Sequence, residues 1–458
     1  MTTNKKKKEE EKKTGDKDDA TTLLRNAIAE SIGYSGMEHL ARVSKHELET
    51  ANDHVGRKSA RSTSIVKLPL NFDEVFEYTL SKNVSCKDYA PSVFSSIRKS
   101  FGINDREYIQ SMRSLTGGGE GEGKSKMLFF MSKDKRYVMK TVKGHELEFF
   151  WQFIKDYYWH MIANPDTLIC RFFGLFTTIY ENKKGDKKKY HLVVMKNIFK
   201  TSWPIHLKFD LKGSINNRIV RYVVDANMLC FFYTHTHTYT QLITYRFVRL
   251  TRQPLTQVPP DMLDKVSVLK DLNLGQRHVW LPADTKADLA RQIEVDTWFL
   301  ERNNIMDYSL LLGISKPLKT PPKSRTKTET GERLSRWERD GGGILCSRGA
   351  LRRSDTPDVN AHECYVLSII DILQQFTWKK QAESMYKVQK YGSAAHISCV
   401  DAETYAARFK DFMNNSVIQK YTWLRNSLQD HRGPGRPTIR NRSKKSMEDM
   451  RRGITTTD

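Results

Sequence analysis

The sequence contains few cysteines and no long apolar run. Its six cysteines are scattered and form no C-x-x-C pair, the spacing that is typical of structural zinc sites and redox motifs. No uninterrupted apolar run reaches the ~18 to 20 residues that a membrane-spanning helix requires, and the lysine-rich start carries no secretory signal. We therefore expect a reduced, cytoplasmic protein without structural zinc, which contacts any membrane only at its surface.

Acidic residues are also scarce relative to basic ones. The chain has 53 aspartates and glutamates against 76 lysines and arginines, which gives a formal net charge of +23. A charge of this size favours an anionic partner, such as nucleic acid, an acidic membrane or a phosphorylated substrate. Charge alone does not choose among these partners, so the choice depends on motifs.

Composition divides the chain into a folded part and two tails. Residues 1–59 begin with the charge run KKKKEEEKK and residues 431–458 are basic, so both are expected to be disordered. Residues 60–430 have the regular apolar spacing of a globular domain. Two segments interrupt it: residues 219–265 contain the repetitive FFYTHTHTYTQLITY, and residues 317–360 are rich in proline, glycine and charge. We expect the second to be a long flexible loop.

Local patterns predict two β-hairpins around a helix. Met127 to Met131 and Arg136 to Val142 are β-prone runs separated by a polar turn, which predicts the first hairpin. The next segment, HELEFFWQFIKDYYWHMI, spaces its apolar residues as a buried helix does. LICRFFGLFTTIY and YHLVVMKNIF then form a second hairpin-like pair on either side of a polar turn.

A glycine cluster precedes the first hairpin. GGEGEGKS, residues 118–125, matches the nucleotide-binding pattern G-x-x-x-x-G-K-[ST]. A P-loop needs a strand before the loop and a helix after it, whereas this cluster continues into a hairpin, which argues against a P-loop. Two alternatives stay open: a flexible turn, or a glycine-rich flap over ATP phosphates whose essential lysine lies on a later strand.

The flap alternative predicts a lysine inside an apolar strand downstream, and Lys140 in RYVMKTV occupies such a place. Glu146 and Glu148 follow on the predicted helix, within reach to pair with it. Asp307 and Asp371 each interrupt an otherwise apolar run, where an unpaired carboxylate would cost several kcal/mol. A surface lysine and two structural salt bridges are the simple interpretation; a shared Mg–nucleotide site accounts for all three groups at once.

A further cluster lies in HLKFDLKGS, where Asp210, Lys212 and Arg218 follow a strand-like segment. The chain has neither H-R-D-x-x-x-x-N nor D-F-G, so it is not an ordinary protein kinase. A nucleic-acid function rests only on the charge and a PGRP motif in the basic tail. His235 and His237 have an H-x-H spacing but no third metal ligand.

Three motifs indicate a family. D-L-K-G-S, M-D-Y-S-L-L and I-I-D occur in order, within matching stretches that run from about residue 60 to residue 425. On these motifs the chain resembles the phosphatidylinositol phosphate kinases, which phosphorylate monophosphorylated phosphoinositides. The resemblance implies an α/β (α+β) fold with two kinase-like lobes, residues 60–205 and 206–430, each with an antiparallel sheet, and a flat basic face on the membrane.

The resemblance also implies roles for individual residues. Lys140 would contact the phosphates of ATP, Asp371 would bind Mg²⁺, and Asp307 would orient the acceptor hydroxyl or share the metal. Asp210 and Lys212 would lie at the active site, and Arg218 would meet a substrate phosphate. The remaining residues expected to help bind ATP are Gly121, Gly123, Lys124 and Ser125 of the flap, and Glu148.

The implied partner is a phosphoinositide in an anionic membrane, at the plasma membrane or another inner membrane surface. No specific nucleic acid is expected, and a homodimer is left open. After Asp371, the activation segment places Lys379 and Lys380 where they could contact anionic lipid.

The same segment bears on which hydroxyl is phosphorylated. At the selector position the 5-kinase branch carries glutamate and the 4-kinase branch alanine; Ala382 aligns there, with Glu383 adjacent. MDYSLLLGI and FMNNSV are more like the 5-kinase branch, so the sequence favours phosphatidylinositol 4-phosphate 5-kinase activity. The alternatives are a phosphatidylinositol 5-phosphate 4-kinase and a phosphoinositide-binding module that has lost activity.

Overall fold

The computed structural model describes most of the region that was expected to fold. Its residues belong to the first of two compact units, Met1–Tyr421. The predicted flap residues Gly121, Gly123, Lys124 and Ser125, the insertion 219–265 and the basic tail 431–458 lie outside the described residues. The described residues are 21–46, 70–120, 127–181, 185–215, 218, 268–275, 277–315, 323, 327–328, 331–339, 343–347, 362–391 and 399–421.

A seven-stranded antiparallel sheet forms the first half of the fold, in the order β1-β2-β6-β7-β5-β4-β3. Both predicted hairpins are confirmed, since β4 pairs with β5 and β6 pairs with β7. Strand β5 alternates buried and partly exposed residues, as a strand with one covered face does. The strands are β1 Val75–Ser81, β2 Val84–Tyr89, β3 Leu115–Glu120, β4 Leu128–Ser132, β5 Tyr137–Val142, β6 Phe172–Glu181 and β7 Lys187–Lys196.

A five-stranded sheet forms the second half, in the order β12-β13-β11-β8-β9. Its pairs are antiparallel except for β8 with the two-residue strand β9. A short parallel pair, β10 with β14, lies apart from it. The strands are β8 Ile205–Leu211, β9 Leu269–Lys270, β10 Val279–Pro282, β11 Ser309–Ser315, β12 Ile344–Ser347, β13 His362–Ile370 and β14 Ile418–Tyr421. The predicted α/β (α+β) fold class is confirmed.

Helices cover both sheets. The predicted helix after the first hairpin is confirmed as α4: its first turn is closed by Glu146, whose carboxylate accepts a hydrogen bond from the Lys143 backbone N–H at 2.7 Å. The helices are α1 at residues 21–46, α2 Pro91–Ser100, α3 Asp105–Met112, α4 Gly144–Ala163, α5 Asp271–Leu274, α6 Ala283–Arg302, α7 Trp378–Tyr391 and α8 Ala402–Asp411, which continues into a π-helix, Phe412–Val417.

Helix α4 carries aromatic contacts that join the two halves. Its Phe150 packs against Phe94 of α2 and Phe172 of β6, with ring centroids 6.0 and 4.9 Å apart. One turn further, Phe153 lies 5.5 Å from Phe299 of α6. A single hydrophobic core therefore continues from the first sheet into the second half of the fold.

The expectation that residues 1–59 form a disordered tail is wrong for residues 21–46, which form helix α1. Leu24, Ala27, Ile28 and Ile32 of this helix are buried in the core. Their positions place them on one helical face. This apolar face was missed because the N-terminal region is rich in charged residues.

The expectation that residues 317–360 form a flexible loop is also wrong where the structure describes them. Trp337 is buried, and Glu332 and Glu338 form ion pairs with the first half of the fold. Residues 344–347 are strand β12 and pair with β13. Proline, glycine and charge made the segment look like a linker, but Glu332, Arg336 and Glu338 form ion pairs.

Among the described residues, no helix combines the length and the apolar character needed to cross a membrane. The flat basic membrane-facing surface stays a prediction.

Candidate active site

A cavity of about 740 Å³ lies between the two sheets. Much of its lining is apolar, and the glycine-rich strand β3 contributes Gly117. Strand β5 contributes Lys140, and the linker after β7, residues 197–204, contributes Asn197, Ile198 and Phe199. From the second half come Lys212, Asp307 and Asp371. The predicted lysine and both predicted carboxylates thus meet in one cavity.

One ion pair in the cavity spans the two sheets. Lys140 lies on β5 of the first sheet, and Asp371 follows directly after β13 of the second. The Lys140 Nζ atom donates a hydrogen bond to Asp371 Oδ1 at 2.5 Å. The two residues are 231 positions apart in the chain, so only the tertiary fold brings them together.

A second ion pair lies within the second half. Lys212 follows β8, and its Nζ atom donates to the Asp307 backbone oxygen at 2.5 Å and to Asp307 Oδ1 at 2.7 Å. Two bonds from one ammonium group fix both the carboxylate and the backbone of the loop that carries it.

The two aspartates are brought together by the loops in which they lie. Asp307 precedes β11 and Asp371 follows β13, and these strands are antiparallel neighbours, so both loops emerge at one end of the sheet. The loops also hydrogen-bond to each other: Met306 N donates to Gln374 O at 3.0 Å, and Phe376 N donates to Asn304 O at 2.9 Å.

Both aspartates adopt the left-handed backbone conformation, with φ of 64° at Asp307 and 61° at Asp371. Few residue types other than glycine tolerate this region, although aspartate does so better than most. Their side chains are 32% and 42% exposed, while Met306, Tyr308 and Ile372 are fully buried. The premise of buried carboxylates is therefore wrong: the turns direct both groups into the cavity.

Charge in the cavity shifts two pKa values. Although the Asp371 side chain is partly exposed, desolvation inside the cavity alone would raise its pKa; the charges of Lys140 and Lys212 and the hydrogen bond from Lys140 outweigh this effect and lower the pKa. Burial would lower the pKa of Lys140, yet Asp371 raises it above its ordinary value. Both groups are therefore ionised at neutral pH.

The D-L-K-G-S segment is held by an aspartate that the sequence did not single out. Asp271, at the start of α5, accepts hydrogen bonds from Lys212 N at 2.8 Å and Gly213 N at 2.7 Å. Its other oxygen accepts from Arg218 Nε, and Arg218 Nη2 also pairs with Asp210 Oδ1 at 3.1 Å. Asp271 thus fixes the turn from which Lys212 reaches the cavity.

Asp210 and Arg218 are not in the cavity lining. The Arg218 side chain is 9% exposed, and the two aspartates raise its pKa although burial opposes them. The structure therefore places Arg218 in a clamp behind the site; its predicted contact with a substrate phosphate stays a prediction. Asp271 lies outside the three motifs on which the resemblance rests, so the sequence did not single it out.

Of the two glutamates expected near Lys140, only Glu146 lines the cavity. Glu148 is exposed and lines a separate cavity of about 600 Å³ together with Lys380 and Glu383. The helix turns by about 100° per residue, so two residues of α4 point to different sides. The structure does not bring Glu148 to Lys140.

The predicted activation segment, which follows Asp371, contains helix α7. The Lys380 Nζ atom pairs with Glu383 Oε2 at 2.8 Å, and Ala382 is exposed. The side chain of Lys379 lies outside the described residues. Neither Lys380 nor Ala382 lines the cavity between the sheets.

The cavity fits a nucleotide with a divalent cation. Mg²⁺ is commonly held by one or two carboxylates together with substrate phosphates, and Asp307 and Asp371 offer such a pair beside two lysines. The apolar lining fits a planar base. No group of three or more histidine, cysteine, aspartate or glutamate side chains gathers as a metal site in the part of the chain that the structure describes.

Comparisons with known proteins support the family that the sequence motifs indicate. The family model described as Phosphatidylinositol-4-phosphate 5-Kinase matches residues 113–416, more than half of the chain. Phosphatidylinositol 4-phosphate 5-kinase 6 of Arabidopsis thaliana is 32% identical over 370 residues, which cover 73% of this chain and 46% of that protein. Phosphatidylinositol 4-phosphate 5-kinase 5 of the same plant is 30% identical over 371 residues, covering 71% and 42%.

A relative with the other named specificity matches over a similar stretch. Phosphatidylinositol 5-phosphate 4-kinase type-2 beta of Rattus norvegicus is 28% identical over 362 residues, which cover 72% of this chain and 76% of that protein. The chain spans a little under half the length of each plant relative. The family model covers the cavity, strands β3 to β7 of the first sheet and the whole second sheet, so the chain belongs to the phosphatidylinositol phosphate kinase family.

Proposed function

We propose that the chain is an ATP-dependent lipid kinase, which converts a phosphatidylinositol monophosphate into a bisphosphate. Its first substrate in this proposal is phosphatidylinositol 4-phosphate, phosphorylated at the 5-hydroxyl. The observation that carries the proposal is the meeting of Lys140–Asp371 and Lys212–Asp307 in one cavity between the sheets. Two lysines can bind phosphate, and two carboxylates can hold a metal and orient a hydroxyl.

Nucleotide binding uses the ion pair that spans the sheets. The Lys140 ammonium group exchanges part of its contact with Asp371 for the phosphates of ATP. Asp371 and Asp307 would hold Mg²⁺, which when bound would neutralise charge on the phosphate oxygens. Because the pKa of Asp371 is lowered, this carboxylate is ready to bind a cation at neutral pH.

Phosphoryl transfer uses the second pair. The oxygen of the inositol hydroxyl attacks the γ-phosphorus, the bond from that phosphorus to the β–γ bridging oxygen breaks, and ADP leaves. Asp307 orients the hydroxyl and accepts its proton, while Lys212 offsets negative charge on the transferred group. The two hydrogen bonds from Lys212 to Asp307 hold these groups in place.

Two observations support 5-kinase activity, and one favours a second candidate. MDYSLLLGI and FMNNSV are like the 5-kinase branch, and both plant relatives carry 5-kinase names. Ala382 at the selector position favours a phosphatidylinositol 5-phosphate 4-kinase, the name of the rat relative. We place the 5-kinase first because two motifs favour it: MDYSLLLGI carries Asp307 of the cavity, and FMNNSV forms the π-helix after α8.

Lipid contact is proposed for helix α7. Trp378, Met385 and Tyr386 are 74%, 64% and 63% exposed on this one helix, in a segment with several lysines. Exposed aromatic and apolar side chains beside basic ones are typical of helices that lie on anionic membranes.

Product analysis tests the proposal. The full chain is incubated with Mg–ATP and vesicles that contain either phosphatidylinositol 4-phosphate or phosphatidylinositol 5-phosphate, and the bisphosphate isomer is identified. We expect turnover of the 4-phosphate and its loss in Asp307→Asn. Turnover of only the 5-phosphate would establish the 4-kinase alternative, and sedimentation with vesicles without product would establish a binding module.

A further inference from the structure

A short segment between β11 and β12 reaches back to the first half of the fold. We name residues 331–339 the strap. Its backbone lies close against the turn after α2: Arg333 N donates to Phe101 O at 2.7 Å. A Cβ atom on Gly102, which has φ of 73°, would come within 2.8 Å of Gly331 O. The turn therefore requires glycine where the strap crosses it.

Two glutamates of the strap are paired with two cations of the first half. The Lys196 Nζ atom lies 2.6 Å from Glu332 Oε1 and 2.9 Å from Glu338 Oε1. Arg171 Nη2 lies 3.1 Å from Glu338 Oε2, and its guanidinium stacks 4.1 Å from the Phe101 ring centroid. The side chains of all four charged groups are 5–18% exposed, so water screens their interactions weakly.

Between its two glutamates, the strap is also fixed near helices α4 and α6. Trp337 Nε1 donates to Asp166 O at 2.7 Å, just after α4, and Arg336 Nη2 pairs with Asp288 Oδ2 of α6 at 2.9 Å. The strap is thus joined to both halves of the fold, and its two glutamates are the part that reaches the cavity lining.

Lys196 connects the strap to the cavity. It ends β7, lines the cavity, and precedes the linker residues Asn197, Ile198 and Phe199, which line it too. Its backbone N–H donates to Arg171 O at 3.0 Å, so both cations of the cluster belong to one hydrogen-bonded unit. The linker offers apolar surface and peptide groups rather than charge, which suits a nucleotide base.

We infer that Glu332 and Glu338 are positioning residues for the nucleotide: by holding Lys196 and Arg171, they set the place of the linker against which the base of ATP binds. The inference rests on the proposed function in taking ATP as the ligand of the cavity. Without the glutamates, Lys196 and Arg171 would be unpaired charges that are nearly buried. Because this is costly, their side chains would move towards solvent and displace the linker.

The experiment measures binding and catalysis separately on the full chain. Isothermal titration with Mg–ATP in the absence of lipid is expected to show about tenfold weaker binding for Glu332→Gln and for Glu338→Gln. The KM for ATP rises in parallel, while the KM for lipid stays within about twofold. Arg336→Met is the matched control: it loses the exposed pair with Asp288 and is expected to bind ATP like the wild type.

A double-mutant cycle separates positioning from loss of stability. In a Lys196→Met background, Glu332→Gln should weaken ATP binding less than it does in the wild type, because the residues act through each other. Unchanged ATP affinity in both glutamate variants, or fully additive effects in the cycle, overturns the inference. If ATP binds and responds as expected but neither lipid is turned over, the proposed function fails and the inference about the strap stands.

Discussion

The two lysine–aspartate pairs in the cavity differ in what they join. Lys140 and Asp371 come from different sheets, so their distance depends on how the two halves of the fold meet. Lys212 and Asp307 both come from the second half and are fixed there by a double hydrogen bond and by Asp271. In the proposed function the first pair therefore responds to nucleotide binding, whereas the second provides a prearranged site for the acceptor hydroxyl.

The largest effect is expected from removing the lysine that spans the sheets. Lys140→Ala should lower kcat/KM by about 10²- to 10³-fold and weaken ATP binding, because it removes a phosphate ligand and leaves Asp371 unpaired. Steady-state kinetics and titration with Mg–ATP measure both. Lys124→Ala, in the predicted flap, should lower kcat/KM by less than about tenfold. A larger loss for Lys124→Ala would restore the P-loop interpretation.

The second pair should affect catalysis without nucleotide binding. Lys212→Met removes the cation beside Asp307 from an otherwise fixed loop, so kcat should fall by about 10²-fold. ATP affinity should stay within about twofold, since Lys140 and Asp371 are intact. Equal losses in ATP affinity for the Lys212 and Lys140 variants would remove the distinction between the pairs.

Asp271 should matter through the clamp that it forms with Arg218 behind Lys212. Asp271→Asn presents an amide group where Arg218 needs a carboxylate, so we expect kcat to fall about tenfold and the free energy of unfolding to fall by about 3 kcal/mol. The turn keeps its acceptor for Lys212 N and Gly213 N, so ATP affinity should hold. Denaturant unfolding and kinetics check the two effects.

Arg218→Lys provides the companion measurement, because lysine keeps the charge but has one donor site in place of a fork. If Arg218 acts only in the clamp, this variant loses stability and the KM for lipid stays within about twofold. A large increase in the lipid KM alone would show that Arg218 meets the substrate phosphate, as the sequence resemblance implies.

The pKa of Asp371 also reports on the Lys140–Asp371 pair that joins the two halves. Desolvation raises the pKa of Asp371, and Lys140 is the main cause of its net lowering. Lys140→Met should therefore raise this pKa. A lowered pKa means that Asp371 stabilises the fold above its ordinary pKa and loses this effect as pH falls through the lowered value. Carboxyl-carbon NMR of labelled aspartate measures the shift; an unchanged pKa would show that the pair does not form in solution.

Much of the first half of the fold could be predicted because its signals are local. The hairpin β4–β5 and helix α4 follow from apolar periods and a polar turn within one stretch, and Lys140 was found from its place in β5. Asp371 and Asp307 were found as carboxylates in apolar runs, although the reason was wrong: left-handed turns expose them. A correct residue can thus emerge from an incorrect estimate of burial.

The parts that were missed depend on distant contacts. Asp271 contacts Lys212 and Gly213 across 58 or 59 positions that include the whole insertion. The strap pairs Glu332 with Lys196 across 136 positions, and its composition predicts a loop. Among the described residues, helix α1 contacts elements beyond residue 70, since Ser35 hydrogen-bonds to Asp88 of β2 and Arg42 to Tyr78 of β1. Charge-rich segments are folded here because their partners lie elsewhere in the chain, which composition does not reveal.

The smallest effect separates two neighbouring glutamates of α4. Glu148 is exposed and outside the cavity, so Glu148→Gln should leave ATP affinity and kcat within about twofold, as surface substitutions usually do. Glu146 lines the cavity, caps the helix through Lys143 N, and raises the pKa of Lys140. Glu146→Gln should therefore weaken ATP binding by a few-fold, because the first turn of α4 has a weaker cap and Lys140 loses a nearby negative charge. Titration of both variants with Mg–ATP compares them directly. A stronger effect at Glu148 would mean that α4 rotates when nucleotide binds, and that the pairing of Lys140 changes from Asp371 to this helix during the reaction.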